Sequence, residues 1–269
     1  MPALKRDALS LARFLLAGAQ DRSILNDAPP RMPAAALGER LAAAAIAAWR
    51  GDVMGLAALE DAAAELTMFD PAALAEGAER TAFWIDVYNA LALHAALRFN
   101  VRDSVREVAG FFNRAAYCIG GARFSLTEIE HGVLRGNRPP LPGLPPPFAS
   151  EDARLALVCR PPDPRIHFVL HCATRSCPLP RPYRAETLEN DLDVAVAAFL
   201  LGGGIEVVQG RVQLSALFAQ YGDDFGGEEG VRAFVLRYLP PGPERDAVSR
   251  SFQASAIDYA AYDWALPPQ

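Results

Sequence analysis

The stretch from Glu79 to Asn100 constrains the fold most, because its apolar spacing reads as one long helix. Phe83, Val87, Ala90, Leu91 and His94 fall on one face, with Asp86, Asn89 and Leu93 on a neighbouring one. Asparagine in mid-helix is not chosen by propensity, so Asn89 calls for either solvent or a specific partner. Residues 1–70 also read as helical, most firmly the Ala-rich Leu37–Trp49, anchored by Leu41, Ile46 and Trp49. Leu9, Leu11, Phe14 and Leu15 form a rough apolar stripe that either packs on the body or meets a partner protein.

With 51% hydrophobic and 22% charged residues, the chain has the composition of a globular protein with a sizeable core. A net charge of -6 and the lack of a dense Lys/Arg run argue against nucleic acid as a partner. No apolar run reaches the ~18 residues that a membrane span needs. Asp7 and Arg13 interrupt the N-terminal run, which suits an amphipathic helix better than a signal peptide. Four cysteines in 269 residues do not make a disulfide framework. The expectation is a cytoplasmic protein with its thiols reduced. Its Ala, Arg and Pro richness resembles that of a high-GC bacterial proteome.

Phe111–Phe124 carries aromatic and β-branched residues around Gly120 and Gly121, which predicts a hairpin. Ser125 and Glu128 then match a capping box at the start of a helix Leu126–Arg135. That helix puts Glu128 and His131 on one face, with Arg135 a turn later. Arg138–Phe148 (RPPLPGLPPPF) is too proline-rich for helix or central strand and reads as a stiff surface connection. Glu186–Leu201 predicts an amphipathic helix stopped by Gly202–Gly204. Ile205–Val208 and Arg211–Leu214 predict a second hairpin. Short helices follow to Tyr238, and the aromatic tail Ile257–Leu266 is expected to pack onto the body.

Chemistry concentrates in Ile166–Pro178, IHFVLHCATRSCP, which holds His167, His171, Cys172 and Cys177. The run Arg165–Cys172 reads as a buried strand, with His167, Val169 and His171 on one face and Cys172 on the other. Thiols and imidazoles are the usual nucleophiles, bases and soft-metal ligands.

FWIDVYNALALH (Phe83–His94), YCIGGARFSLTEIEHGVLRGN (Tyr117–Asn137) and DPRIHFVLHCATRSCP (Asp163–Pro178) resemble, in that order, the blocks of the domain of unknown function 547 family. QLSALFAQYGDDF (Gln213–Phe225) and DYAAYDW (Asp258–Trp264) resemble its closing blocks. The resemblance implies a main domain over residues 75–269 behind a helical N-terminal extension, residues 1–74. It carries no settled activity. The family pattern has matches at Trp84, Asn89, His94, Glu128, His131, Arg135, His167, Cys172, Ser176, Cys177 and Pro178.

Three kinds of chemistry fit these residues. In a thiol-dependent hydrolase or acyltransferase acting on an amide, ester or thioester, Cys172 or Cys177 attacks. His167 or His131 accepts the proton and Glu128 orients the imidazole, while Asn89, Arg135, Arg175 and Ser176 contact a small-molecule or peptide substrate. In a non-catalytic interaction module, His94, Glu128, His131 and Arg135 form a buried polar network. In a zinc site, His131, His167 and a cysteine are ligands, although the Cys172 to Cys177 spacing is atypical. A reversible Cys172–Cys177 disulfide is a further use of the two thiols. No P-loop, dinucleotide fingerprint or GxSxG elbow is present, and no cofactor is expected. The expected fold is α+β, a helix-rich single domain around a small sheet that includes Arg165–Cys172.

Overall fold

A computed structural model describes residues 22–177 and 180–266. The apolar stripe at Leu9–Leu15 and the Pro178 position lie outside the described residues. The chain divides into two compact units. One comprises residues 22–162, 170–177, 180–188 and 264–266, and the other 163–169 and 189–263. Each contains one three-stranded sheet among helices, so the α+β class holds with two small sheets in place of one. Among the described residues, no helix is long and apolar enough to cross a membrane.

The first unit is organised around a helix that is buried on every side. α1 (Leu37–Trp49) and α2 (Val53–Glu65) pack together, and α1 lies along α3 (Ala78–Arg98). From Ala82 to Ala96 every residue of α3 is buried, polar ones included. Residues 37–65, read as part of an extension, thus belong to the same unit as α3. β1 (Ser23–Ile24) pairs in parallel with β2 (Ala115–Ile119), and β2 pairs antiparallel with β3 (Ala122–Ser125), Tyr117 opposite Phe124. The turn between β2 and β3 requires its first glycine: Gly120 has a φ of 58°, and a Cβ there would stand 2.8 Å from the Phe69 carbonyl.

Downstream of β3 the expected helix forms, but Glu128–Leu134 is a π-helix. The amides of Arg135 and Asn137 bond five residues back, to Glu130 and Gly132 at 2.8 and 2.9 Å. Gly132 is fixed by packing, since a Cβ there would lie 2.5 Å from the Phe148 ring. Phe148 is the buried end of the proline-rich segment. The Asn137 side chain clamps it, donating to its carbonyl at 2.9 Å and accepting its amide at 3.0 Å.

In the second unit, α4 (Leu188–Phe199, all but its first residue) leads through a π-turn into the hairpin β4 (Ile205–Val208) and β5 (Arg211–Leu214). The hairpin has the residue boundaries expected from sequence. β6 (Asp258–Tyr259) adds in parallel to β5, which docks the aromatic tail as anticipated. α5 (Ala216–Gln220), α6 (Gly227–Tyr238) and α7 (Pro243–Ala254) complete the unit. Phe168, Phe218, Phe225 and Phe234 form its aromatic core, with Phe168 stacked on Phe234 at 5.6 Å.

The expected strand Arg165–Cys172 is not a strand. Pro164–Phe168 is a 3₁₀-helix, and residues 169–177 are irregular. The Asp163 carboxylate accepts the Arg165 amide at 2.8 Å, and Pro164 occupies the first helical position. An aspartate followed by proline is a helix-start signal, and it overrides the β-branched and aromatic content behind it. Burial does not alternate either: Ile166, His167, Phe168, Val169, Leu170 and His171 are all buried. Arg165 ties the turn to the rest of its unit through Asp163, Glu189 and Asp193, at 2.6, 2.6 and 2.8 Å. Tyr238 donates to the same Asp193, and burial together with that carboxylate pushes its phenol up to about 12.

Candidate functional site

The cysteine loop is built from α3 outward. Asn89, buried in mid-helix, accepts the backbone amide of His171 at 2.6 Å. One turn earlier Asp86 accepts the amide of Tyr183 at 2.9 Å. Two polar side chains of this buried helix thus hold both ends of the segment that carries the thiols. This is the specific partner that Asn89 required, and it is backbone rather than solvent. Inside the loop Ala173 adopts a φ of 56°, a conformation uncommon for a residue with a side chain. The Arg175 amide donates to the Ala265 carbonyl at 2.7 Å, and the Cys177 amide to Thr174 at 3.1 Å.

This pinning brings Cys172 and Cys177 together. Their sulfurs stand 2.7 Å apart, both half-buried and both thiols. The Cys172 amide donates to the Cys177 sulfur at 3.2 Å, and the fully buried Thr174 hydroxyl lies 3.2 Å from it. The same hydroxyl is 3.4 Å from the Cys172 sulfur. Donors directed at sulfur favour its anionic form, which is the nucleophilic one. Arg175 and Ser176 sit on the outer turn of this loop, Arg175 exposed and Ser176 half-buried. By contrast Cys159 is buried and its thiol is pushed up to about 11 by desolvation, so it is chemically quiet at neutral pH.

The π-helix carries a second cluster. Glu128 makes the capping box expected from sequence: it accepts the Ser125 amide at 2.8 Å, and its own amide donates to the Ser125 hydroxyl at 3.2 Å. Its carboxylate also pairs with Arg22 at 3.0 Å and Arg154 at 3.1 Å. Among the described residues, none of the bonds of Glu128 goes to an imidazole. The acid beside His131 is Glu130, 3.7 Å from Nε2 and bonded through its other oxygen to the Tyr88 hydroxyl at 2.8 Å. Arg135 meets His131 as expected, with its guanidinium donating to Nδ1 at 2.5 Å and to the Pro139 carbonyl at 3.2 Å. A guanidinium N–H on Nδ1 occupies the lone pair that a base would use there. Sequence reasoning missed Glu130 because it counted 3.6 residues per turn through a helix that has one residue more.

His167 lies in the second unit and has the opposite surroundings. Its Nε2 stands 2.7 Å from the buried Asp224 carboxylate, and its ring stacks on Tyr221 at 3.8 Å. Donation from Nε2–H to the carboxylate selects the tautomer whose basic nitrogen is Nδ1. Asp224 and Tyr221 were not singled out from sequence. Nothing local pairs residue 167 with residue 224, although YGDD was legible as a block.

His94 belongs to a third, separate network, with its Nδ1 3.1 Å from the Tyr117 hydroxyl and its Nε2 3.1 Å from Glu60. The His94 bond, followed by Arg98, holds Glu60 below the usual carboxylate range against the cost of its partial burial. Tyr117, fully buried, is pushed well above the ordinary phenol range by desolvation. Among the described residues, no three His, Cys, Asp or Glu side chains form a group that could hold a metal ion.

Comparison with known proteins bears on one stretch. Residues 72–200 match the family described as "Protein of unknown function, DUF547". This segment belongs to the DUF547 family. The DUF547 segment contains Asn89, Glu128, His131, Arg135, His167, Cys172 and Cys177, whereas Tyr221 and Asp224 lie beyond it. The blocks Gln213–Phe225 and Asp258–Trp264 also lie outside the DUF547 match. No curated protein and no solved structure matches the chain.

Proposed function

We propose that this chain is a thiol-dependent hydrolase or acyltransferase acting on an amide, ester or thioester, with Cys177 as the attacking sulfur. One observation carries the reading: the Cys177 sulfur receives the Cys172 amide and faces the Thr174 hydroxyl within a pinned, strained loop. The thiolate adds to the acyl carbon, a carbon–sulfur bond forms, and the amine, alcohol or thiol departs with a proton returned by an imidazolium. Water or an acceptor nucleophile then takes the acyl group and regenerates the thiol. The Cys172 amide is a candidate donor to the developing oxyanion.

Mapped alkylation of the native protein across pH tests this. Cys177 should react fastest and already at about pH 6, well below an ordinary thiol's ~8.5. Cys159 should stay silent as the internal control. Equal, slow labelling of Cys172 and Cys177 only above about pH 8.5 would remove the activated nucleophile and with it the reading. The 2.7 Å separation favours a second use of the same sulfurs, a reversible disulfide. Formation would release two electrons and two protons to a peroxide or a disulfide oxidant. Its signature in the same maps is a loss of two hydrogens across the loop peptide, restored by dithiothreitol.

A further inference from the structure

Asp86 has one carboxylate oxygen that the thiol chemistry does not use. Oδ1 takes the Tyr183 amide, and among the described residues no donor is bonded to Oδ2. The residue is only 1% exposed, yet it lines a cavity of about 300 Å³ within the first unit. That volume suits a small organic molecule. An acceptor without a donor on the wall of a cavity is available to a ligand that brings one.

The cavity wall supplies the rest of a recognition site. Phe69, Leu74 and Phe83 give it an apolar side. Glu39, Glu79 and Glu186 line it, and among the described residues the one cation on the wall is Arg184, which is paired with Glu39 at 2.6 Å. Glu79 accepts the Ala75 amide at 2.9 Å. The excess is therefore negative, with one carboxylate at the buried end. Gly38, on α1, is what leaves that end open: a Cβ there would lie 3.2 Å from the Phe83 ring and 3.6 Å from Oδ2 itself.

We infer that this cavity is a binding site for a small primary amine with an apolar body, whose ammonium group donates to Oδ2 of Asp86. It is independent of the cysteine loop's chemistry, although Asp86 also holds the Tyr183 end of that loop. Anions are disfavoured by the surrounding glutamates. Neutral alcohols of the same shape lack the charge that would repay ionising a buried acid.

The pH dependence follows. Burial, reinforced by the charge of Glu39 and opposed by the Tyr183 amide, pushes Asp86 up to about 8. An ammonium ligand therefore displaces a proton from Asp86 at pH 6 but not well above pH 8. Affinity should rise across that interval by more than tenfold and level off before the amine itself deprotonates. The other charged or ionisable groups on the cavity wall are Glu39, Glu79, Glu186, Arg184 and Tyr183.

Calorimetric titration of the full chain with benzylamine and n-butylamine at pH 6, 7 and 8 tests the inference, with benzyl alcohol and benzoate as neutral and anionic controls. The expected result is binding of the amines alone, tightening with pH. Asp86→Asn keeps an acceptor for Tyr183 and should abolish binding. Gly38→Ala, which favours its helix, should also abolish it while the melting temperature holds, so that loss of fold is distinguishable from loss of site. Absence of amine binding at every pH, equal binding of benzyl alcohol, or an unaltered Asp86→Asn titration would each overturn the inference.

Discussion

His131 and His167 are both buried, both on short helical turns and both within the DUF547 segment, yet their surroundings are opposite. His131 receives a guanidinium N–H on Nδ1, whereas His167 gives its Nε2–H to a carboxylate. The lesson is that residue type and burial do not assign a role. The partner does, because it decides which ring nitrogen keeps its lone pair. His94 is a third case, held between a phenol and a carboxylate, where the imidazole ties α2 to α3 and β2.

The sharpest way to break this contrast is turnover, once an acyl substrate is in hand. If His167 is the base of the proposed thiol chemistry, His167→Gln, which keeps a donor for Asp224, should lose roughly 10²–10⁴-fold of the activity. His131→Gln should keep activity to within about tenfold. The reverse ranking would exchange the two roles. Next in size is stability measured by denaturant unfolding. His131→Ala strips a partner from the buried Arg135 and should cost about 1–3 kcal/mol.

A smaller effect separates the two carboxylates of the π-helix. Glu128→Gln weakens two ion pairs and the capping box and should lower stability by about 1 kcal/mol. Labelling of Cys177 should not change, since Glu128 serves the scaffold. A change in thiol reactivity would return Glu128 to the orienting role expected from sequence. The smallest effect belongs to Glu60. Its folded-state pKa is depressed, so the stability it contributes is present above its ordinary value near 4.5 and is lost as pH falls through the lower folded value. Glu60→Gln should therefore lower stability slightly near neutrality and flatten the acid limb of a stability–pH curve, the two curves converging as pH falls.

Local signals were legible and non-local ones were not. The capping box at Ser125 and Glu128, the Gly120–Gly121 turn and the hairpin Ile205–Leu214 each rest on chemistry within a few residues, and each forms where the sequence places it. The misread strand at Arg165–Cys172 shows the limit of periodicity, because a run buried on all sides does not reveal its period. The decisive clue there was Asp163 before Pro164, a capping signal that prevails over the strand-like residues after it. Glu130 was hidden by a π-helix, and Asp224 by a separation of 57 residues. The clustering of Cys172 with Cys177 was foreseen as geometry that a loop could reach. Its anchoring through Asn89 came from a side chain whose oddity, though not its partner, was visible in the sequence.

The clamp of Asn137 on Phe148 has a practical consequence. Both ends of the proline-rich strap are fastened to the body before the chain departs and after it returns, so the covalent link between them is not what holds the two ends in register. The chain could be cut or extended near Gly143, which is exposed with open space around its Cα. A chain nicked there, or one with a reporter peptide spliced in, should keep an unaltered cysteine loop.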